Sequence, residues 1–304
     1  MKHIKEIVES YLKEKTEGLP TGLKFLDENI GGLYPGELTV ICGDSDSGKT
    51  ALMIRQINCL SIDGRVPVLV VLCTNEKTFL ANMAAYYCSI ITDDVRQVFT
   101  DEECSAEAYC YLDKLLQAPI YFVNIADFEE TSSEELHKFI QENNIKAVFV
   151  ENVQWINNME RNHEVIAQPL KALAKEEQVA VVAEYHLWTN DDFPPLSILQ
   201  FEKDDVSMMA DNIIGMLDFQ NRGIMVDENG KCVSGEIRMK IIKHKGMLAK
   251  NKETRYRKMQ LMVRNNHHAT YIGTDCKKPF DGKSPLAALL KELDCEVEDI
   301  SSKQ

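Results

Sequence analysis

Apolar positions along the chain recur with two different periods, and the change from one to the other marks out its parts. Ile4, Ile7, Val8, Tyr11 and Leu12 repeat at helical spacing with Lys and Glu between them, which predicts a short amphipathic helix. The stretch "EGLPTGL", with Gly18 and Pro20, ends it. Continuous apolar runs then alternate with helical stretches. "LTVICG" leads to a helix from Lys49, and "VPVLVVLC" to helices through about Gln117. "PIYFVNI" precedes a helix opened by "TSSEE", "KAVFVE" precedes a helix ending near Glu177, and "VAVVAEY" closes the series. Thr131 or Ser132, three residues ahead of Glu134 or Glu135, is a capping-box signature. Apolar strands alternating with helices predict an α/β fold, a mostly parallel sheet with helices on both faces. After Asp211 the pattern becomes strands joined by turns, "IIGMLDF", "GEIRMKIIKHK", "KMQLMVR" and "ATYIG", which read as a meander forming an antiparallel extension of the sheet. Near the end, Ser284 as cap, Pro285 in the first turn and Leu286, Leu289, Leu290 and Leu293 on one face predict a short helix. It would dock on its own domain or on a protein partner. The expected organisation is residues 1–18 as an N-terminal helix, 19–273 as the main domain and 274–304 as a C-terminal tail.

With 304 residues, 44% of them hydrophobic, the chain can bury the core of one large α/β domain. Its longest apolar run is the eight residues of "VPVLVVLC", too short to span a bilayer, and "MKHIKEIVES" lacks a secretory apolar stretch. A cytoplasmic protein with no membrane partner is the expectation. Nine cysteines, an odd number without a CxxC pair, suit reduced thiols in a reducing compartment better than disulfides or zinc. The net charge of −14 argues against a nucleic-acid coat protein, which needs a basic footprint. The charge is uneven, however: Arg238 to Lys258 carries a local +8, leaving −22 on the rest. That basic run is either a solvated face or an anion-binding surface.

The strongest chemical signal is "GDSDSGKT", which fits G-x-x-x-x-G-K-[ST] between an apolar strand and a helix. Small residues there let successive backbone N–H groups curl around phosphates, and the helix N-terminus adds a favourable dipole. Gly43, Asp44, Ser45, Asp46, Ser47, Gly48, Lys49 and Thr50 are therefore the candidate nucleotide-binding residues. Lys49 would reach the β- and γ-phosphates, and the Thr50 hydroxyl would ligate Mg²⁺, so ATP and Mg²⁺ are the implied cofactors. Asp44 and Asp46 are out of character, because carboxylates weaken the binding of a polyanion unless they point to solvent.

The stretch "TGLKFLDENIGGLYPGELTVICGDSDSGKTA" resembles the opening of RecA-like P-loop NTPase cores. Within that superfamily the chain looks most like the C-terminal domain of the DnaB-type replicative helicases, with "VENVQW" and "LKALAKEEQVAVVA" fitting the same pattern. The resemblance covers roughly residues 19–273, and residues 4–12 stand where the family has a linker helix that packs on the neighbouring subunit of a hexameric ring.

The resemblance implies roles position by position. The family's Walker B aspartate falls on Glu151, one methylene longer yet able to serve Mg²⁺-bound water. Its water-activating glutamate falls on Thr74, whose hydroxyl cannot act as a base near neutral pH; Glu76, two residues on, either substitutes or caps the next helix. The family's strand-terminal Gln falls on His186, able to bond a phosphate oxygen or simply a satisfied polar residue. The Lys and Arg that reach the neighbour's γ-phosphate fall on Lys243 and Lys245, two residues apart on a strand and so expected on one face. Lysine at 245 keeps the charge but loses the planar fork, which predicts slower turnover. In the DNA-facing channel loop, "LQFEKDD" keeps Glu202 but has Phe201 for the arginine and Asp204 for the glycine, and Glu202, Asp204 and Asp205 would repel phosphates. "RNNHH" at 264–268 reads as a hairpin turn. Two functions follow: a ring-forming, ATP-driven, DNA-binding helicase of DNA replication or repair acting on single-stranded DNA, or a catalytically degenerate nucleotide-binding assembly or regulatory protein. An autokinase of the clock-ATPase kind shares the core as a third.

Overall fold

The computed structural model describes residues 3–5, 17–88, 113–155, 167–187, 196–197, 201, 205–227, 229–233, 235–249 and 252–257. Its elements in chain order are α1 (Lys24–Ile30), β1 (Leu38–Gly43), α2 (Lys49–Ile57), β2 (Val68–Leu72), α3 (Glu76–Cys88), β3 (Ile120–Asn124), α4 (Ile125–Glu130), α5 (Ser133–Glu142), β4 (Ala147–Val150), α6 (Ala167–Glu177), β5 (Ala180–His186), α7 (Val206–Met209), β6 (Asn212–Asp218), β7 (Glu236–His244), β8 (Met247–Leu248) and β9 (Glu253–Arg257). The sheet runs β3-β2-β4-β5-β1-β6-β7-β8, with β9 also on β7. β1 to β6 are mutually parallel, and β7, β8 and β9 are antiparallel.

Both faces are buried, as the continuous apolar strands require. One face packs Val70, Phe149 and Val182 against Leu26 of α1, Leu52 of α2 and Phe79 of α3. The other packs Val71, Val148 and Val181 against Ile140 of α5, Leu170 of α6 and Val206 of α7. β1 lies between β5 and β6, with Gly43 opposite both His186 and Met216, so the chain leaves β1 at the carboxyl ends of its neighbours. Its next strand, β2, lies on the far side of β5 and β4. That is the switch point at which open α/β sheets place ligands.

The strands fall inside the apolar runs, and Ser132 and Glu135 form the reciprocal capping box at the start of α5. The segment after Asp211 differs from expectation. β6, expected to open the antiparallel meander, is instead parallel to β1, and its burial at every position is that of a central strand. β8 and β9 form where only a turn and a charged stretch were expected. "KMQLMVR", "ATYIG", "RNNHH" and the C-terminal helix with its partner surface lie outside the described residues, as do residues 7–12 of the N-terminal helix and most of the helical stretch before Gln117.

Candidate nucleotide site

The loop after β1 is shaped by its small residues. Gly48 adopts φ 88°, a left-handed conformation that turns the chain into α2. A Cβ on Gly43 would collide with the Met216 carbonyl and the Ser47 hydroxyl. Lys49 donates from Nζ to the carbonyl oxygens of Gly43 (3.1 Å) and Asp44 (2.6 Å), so the loop's own backbone orients the amine. Burial lowers the Lys49 pKa, and Glu184 is the largest influence opposing it. The two aspartates are placed where they do least harm. Asp46 is exposed, at φ 56°, whereas Asp44 is gripped by Arg222, whose Nε donates to Oδ2 at 2.6 Å and Nη2 to Oδ1 at 3.2 Å. Arg222 lies in the turn after β6, and Asn221 of the same turn donates to the Ser45 carbonyl at 3.3 Å. Sequence reasoning missed Arg222, which is 178 residues from its partner along the chain.

Beside the loop stand three strand ends. Glu151, after β4, is buried and turned toward β2: its Oε2 accepts from the backbone N–H groups of Cys73 (3.1 Å) and Thr74 (3.0 Å), from the Thr74 hydroxyl (2.9 Å) and from the Cys73 thiol (3.4 Å). The Cys73 thiol is pushed up to about 12, first by burial and then by the Glu151 charge. Glu76 lies exposed in the first turn of α3, the capping position rather than the base position, beside Asn75, whose Oδ1 accepts from Lys77 N–H at 2.9 Å. His186 ends β5, its backbone locked to the Gln154 amide by bonds of 2.7 and 2.6 Å. Burial and the Lys49 charge hold its imidazole below the ordinary range, with Asp44 pulling the other way, so the ring is neutral at pH 7.

The hydroxyl of Thr50 donates to a residue that sequence reasoning did not single out, Glu184 Oε2, at 3.0 Å. Glu184 is 3% exposed, and its Oε1 has no hydrogen-bond partner among the described residues. Burial, then the Glu151 charge, pushes its carboxyl well above the usual range, while Lys49 and Thr50 pull it down. One signal was available: a carboxylate inside "VAVVAEY", a run whose other strand-interior positions are Ala and Val.

The remaining candidates lie elsewhere. Lys243 and Lys245 do not converge as their spacing predicts. Lys243 is buried, with Nζ donating to the carbonyls of Ala210 (2.6 Å), Ser207 (2.9 Å) and Met208 (3.4 Å) at the end of α7. Lys245 follows β7 in a turn at φ 48°, its amine 4.8 Å from the centre of the Tyr34 ring. The turn breaks the strand alternation on which the shared face depends. In the channel-loop region Phe201 is fully buried against Tyr185, at 5.5 Å between ring centres, and belongs to the core. Asp205 is no channel carboxylate either: it is buried, and its two oxygens accept from the N–H groups of Ala167 (2.8 Å) and Gln168 (2.7 Å), capping α6. Glu202 and Asp204 lie outside the described residues. The basic run is partly neutralised, with Arg238 paired to Glu253 and Arg255 to Asp227.

This arrangement has known relatives. The chain is 27% identical over 225 residues to the replicative DNA helicase DnaB of Mycoplasma pneumoniae, covering 65% of this chain but 46% of that protein. It thus spans about half the length of the curated relative it matches. Among solved structures it is similar to an isolated ATPase domain, with a TM-score of 0.66 at 16% identity over 84% of this chain and 93% of that one. A DnaB-like replicative helicase, studied with its interactions with primase, gives a TM-score of 0.60 at 16% identity, covering 81% and 62% of the two chains. The fold is the RecA-like one those structures share, and residues 18–267 match the family defined as the DnaB-like helicase C terminal domain. The chain belongs to that family of P-loop ATPase and helicase domains.

Proposed function

We propose that the chain is an ATP-binding, ring-forming P-loop ATPase that works on or with single-stranded DNA and turns over slowly. The observation that carries this reading is the cradle at Gly43 to Thr50, in which a left-handed glycine opens a helix and Lys49 is held over the loop by two carbonyls. Phosphate oxygens would draw the Lys49 amine from those carbonyls, while the Arg222 guanidinium neutralises Asp44 beside them. Bound Mg²⁺ would bridge the β- and γ-phosphates and neutralise their charge, with Thr50 as a protein ligand. The donor set fits it, since a buried carboxylate already faces the Thr50 hydroxyl.

Lys243 and Lys245 support a nucleotide at the subunit boundary. Lys243 pairs with Ile213 near the start of β6, at the opposite end of the strands from the chain's own phosphate loop. A side chain serving a neighbour's phosphate has to stand on such an opposite edge, and exposed Lys245 meets that need better than Lys243. DNA as partner rests on the relative's being a replicative DNA helicase.

A specific observation favours the second reading, a nucleotide holder with no helicase activity. Glu151 is tied to the end of β2 by four donors, Thr74 is its partner there, and Glu76 faces solvent. Steady-state ATP hydrolysis with Mg²⁺, with and without single-stranded DNA and with Lys49→Ala as blank, separates the two. Turnover that rises with DNA and vanishes in Lys49→Ala supports the motor; binding of ATP without turnover above the blank supports the holder.

A further inference from the structure

The family's metal-side carboxylate falls on Glu151, yet the sheet order puts β5 between β4 and β1. At about 4.8 Å per strand, Glu151 belongs to a strand roughly 9–10 Å from the one that carries the loop. Its Oε2 is spent on the end of β2, where four donors hold it. β5 is the immediate neighbour of β1, with Glu184 in register with Ile41. Glu184 shares a sheet face with Ala180 and Val182, the face that packs against α2, so its side chain rises toward the helix that begins with Lys49 and Thr50.

Two features show that this is a built site. A parallel central strand asks for an apolar residue at this position, and β5 supplies Ala or Val at each of the four before it. A buried carboxylate is costly unless something compensates it, and Glu184 has one hydroxyl on Oε2 and a bare Oε1. The missing compensation lies beside the hydroxyl that the phosphate-loop pattern assigns to the cation.

We propose that Glu184, and not Glu151, is the protein carboxylate that holds the nucleotide's divalent cation together with Thr50. The inference rests on the reading of the loop as a nucleotide site and deepens it. Mg²⁺ on nucleotides takes one or two carboxylates in addition to phosphate oxygens and water. Without the cation, the same carboxylate repels phosphates bound to the loop. Glu184 therefore makes nucleotide binding depend on the metal.

The test is the affinity of the full chain for a fluorescent ATP analogue, measured in excess Mg²⁺ and again in chelator, for wild type, Glu184→Gln, Glu151→Gln and Lys49→Ala. Wild type should bind more tightly with Mg²⁺. Glu184→Gln should lose most of that gain, by about tenfold or more, while binding the metal-free analogue at least as tightly as wild type. A purely structural role at Thr50 would not produce that tightening. Glu151→Gln should keep the gain. A Glu184→Gln protein that keeps the gain while Glu151→Gln loses it overturns the proposal. Wild type that binds no analogue, or binds it no better than Lys49→Ala, overturns the nucleotide reading itself. Should Glu184→Gln not fold, Glu184→Asp decides: the carboxylate, shortened by one methylene, should recover more of the gain with Mn²⁺ than with Mg²⁺, and a gain with Mg²⁺ equal to wild type overturns the proposal.

Discussion

Cys73 shows how far one neighbour can silence a reactive group. Its thiol is pushed up to about 12 by burial first and by the Glu151 charge second. A raised thiol pKa means less thiolate at any lower pH, so at pH 8 roughly one thiol in ten thousand is ionised. Alkylation at pH 8 followed by peptide mass spectrometry should label exposed Cys232 well before Cys73. Glu151→Gln removes the charge and should speed Cys73 labelling several-fold, with burial still holding it below Cys232; an unchanged rate would show that the thiol is not coupled to Glu151. Arg222 offers a second test at this scale. Its two bonds to Asp44, one of them 2.6 Å, lie at a partly buried place, so Arg222→Ala should leave a bare carboxylate beside the phosphates and weaken ATP about tenfold, ~1.4 kcal/mol. Adding Asp44→Asn should recover most of the loss in a calorimetric titration, and a double variant as weak as the single would assign Arg222 to the nucleotide instead. The phosphate loop could be read from eight contiguous residues because its chemistry is local. Arg222 could not, since its partner is set by which strand lies beside β1.

At the scale of elements, capping separates two carboxylates that look alike in sequence. Glu135 was legible, because its partner Ser132 is three residues away and both bonds are local. Asp205 was read as part of an acidic loop, because the helix it caps begins 38 residues earlier and only the packing of α7 on α6 brings them together. The consequences for stability differ accordingly. Ser132→Ala removes an exposed cap and should cost about 1 kcal/mol, whereas Asp205→Ala leaves two buried or half-buried N–H groups without acceptors and should cost about 2 kcal/mol. Urea unfolding midpoints order the two, and equal losses would mean water replaces Asp205. β6 teaches the same lesson about strands. Its run "IIGML" carries the all-buried pattern of a parallel strand, but the turns that follow it suggested a meander; periodicity finds a strand without saying which neighbour it takes.

For the whole molecule the open quantity is the assembly, and the sheet edge carries the sign of it. β8 ends the sheet, and its two residues, Met247 and Leu248, are 72% and 63% exposed, immediately after Lys245. A monomer gains nothing from holding two large apolar side chains in water at an unpaired strand. In a ring they would be covered by the next subunit, and covering them would also bring Lys245 to the boundary where the proposed function puts the neighbour's phosphate. The double substitution Met247→Ser and Leu248→Ser should therefore shift sedimentation velocity toward smaller species in the presence of ATP and Mg²⁺. Binding of ATP at the opposite ends of the strands should stay within about twofold of wild type, because no residue of the loop is touched. Lys245→Ala should act the other way round, keeping the assembly and lowering any turnover; an assembly unchanged by the double serine variant would move the subunit boundary off this edge and leave Lys245 a solvated partner of Tyr34.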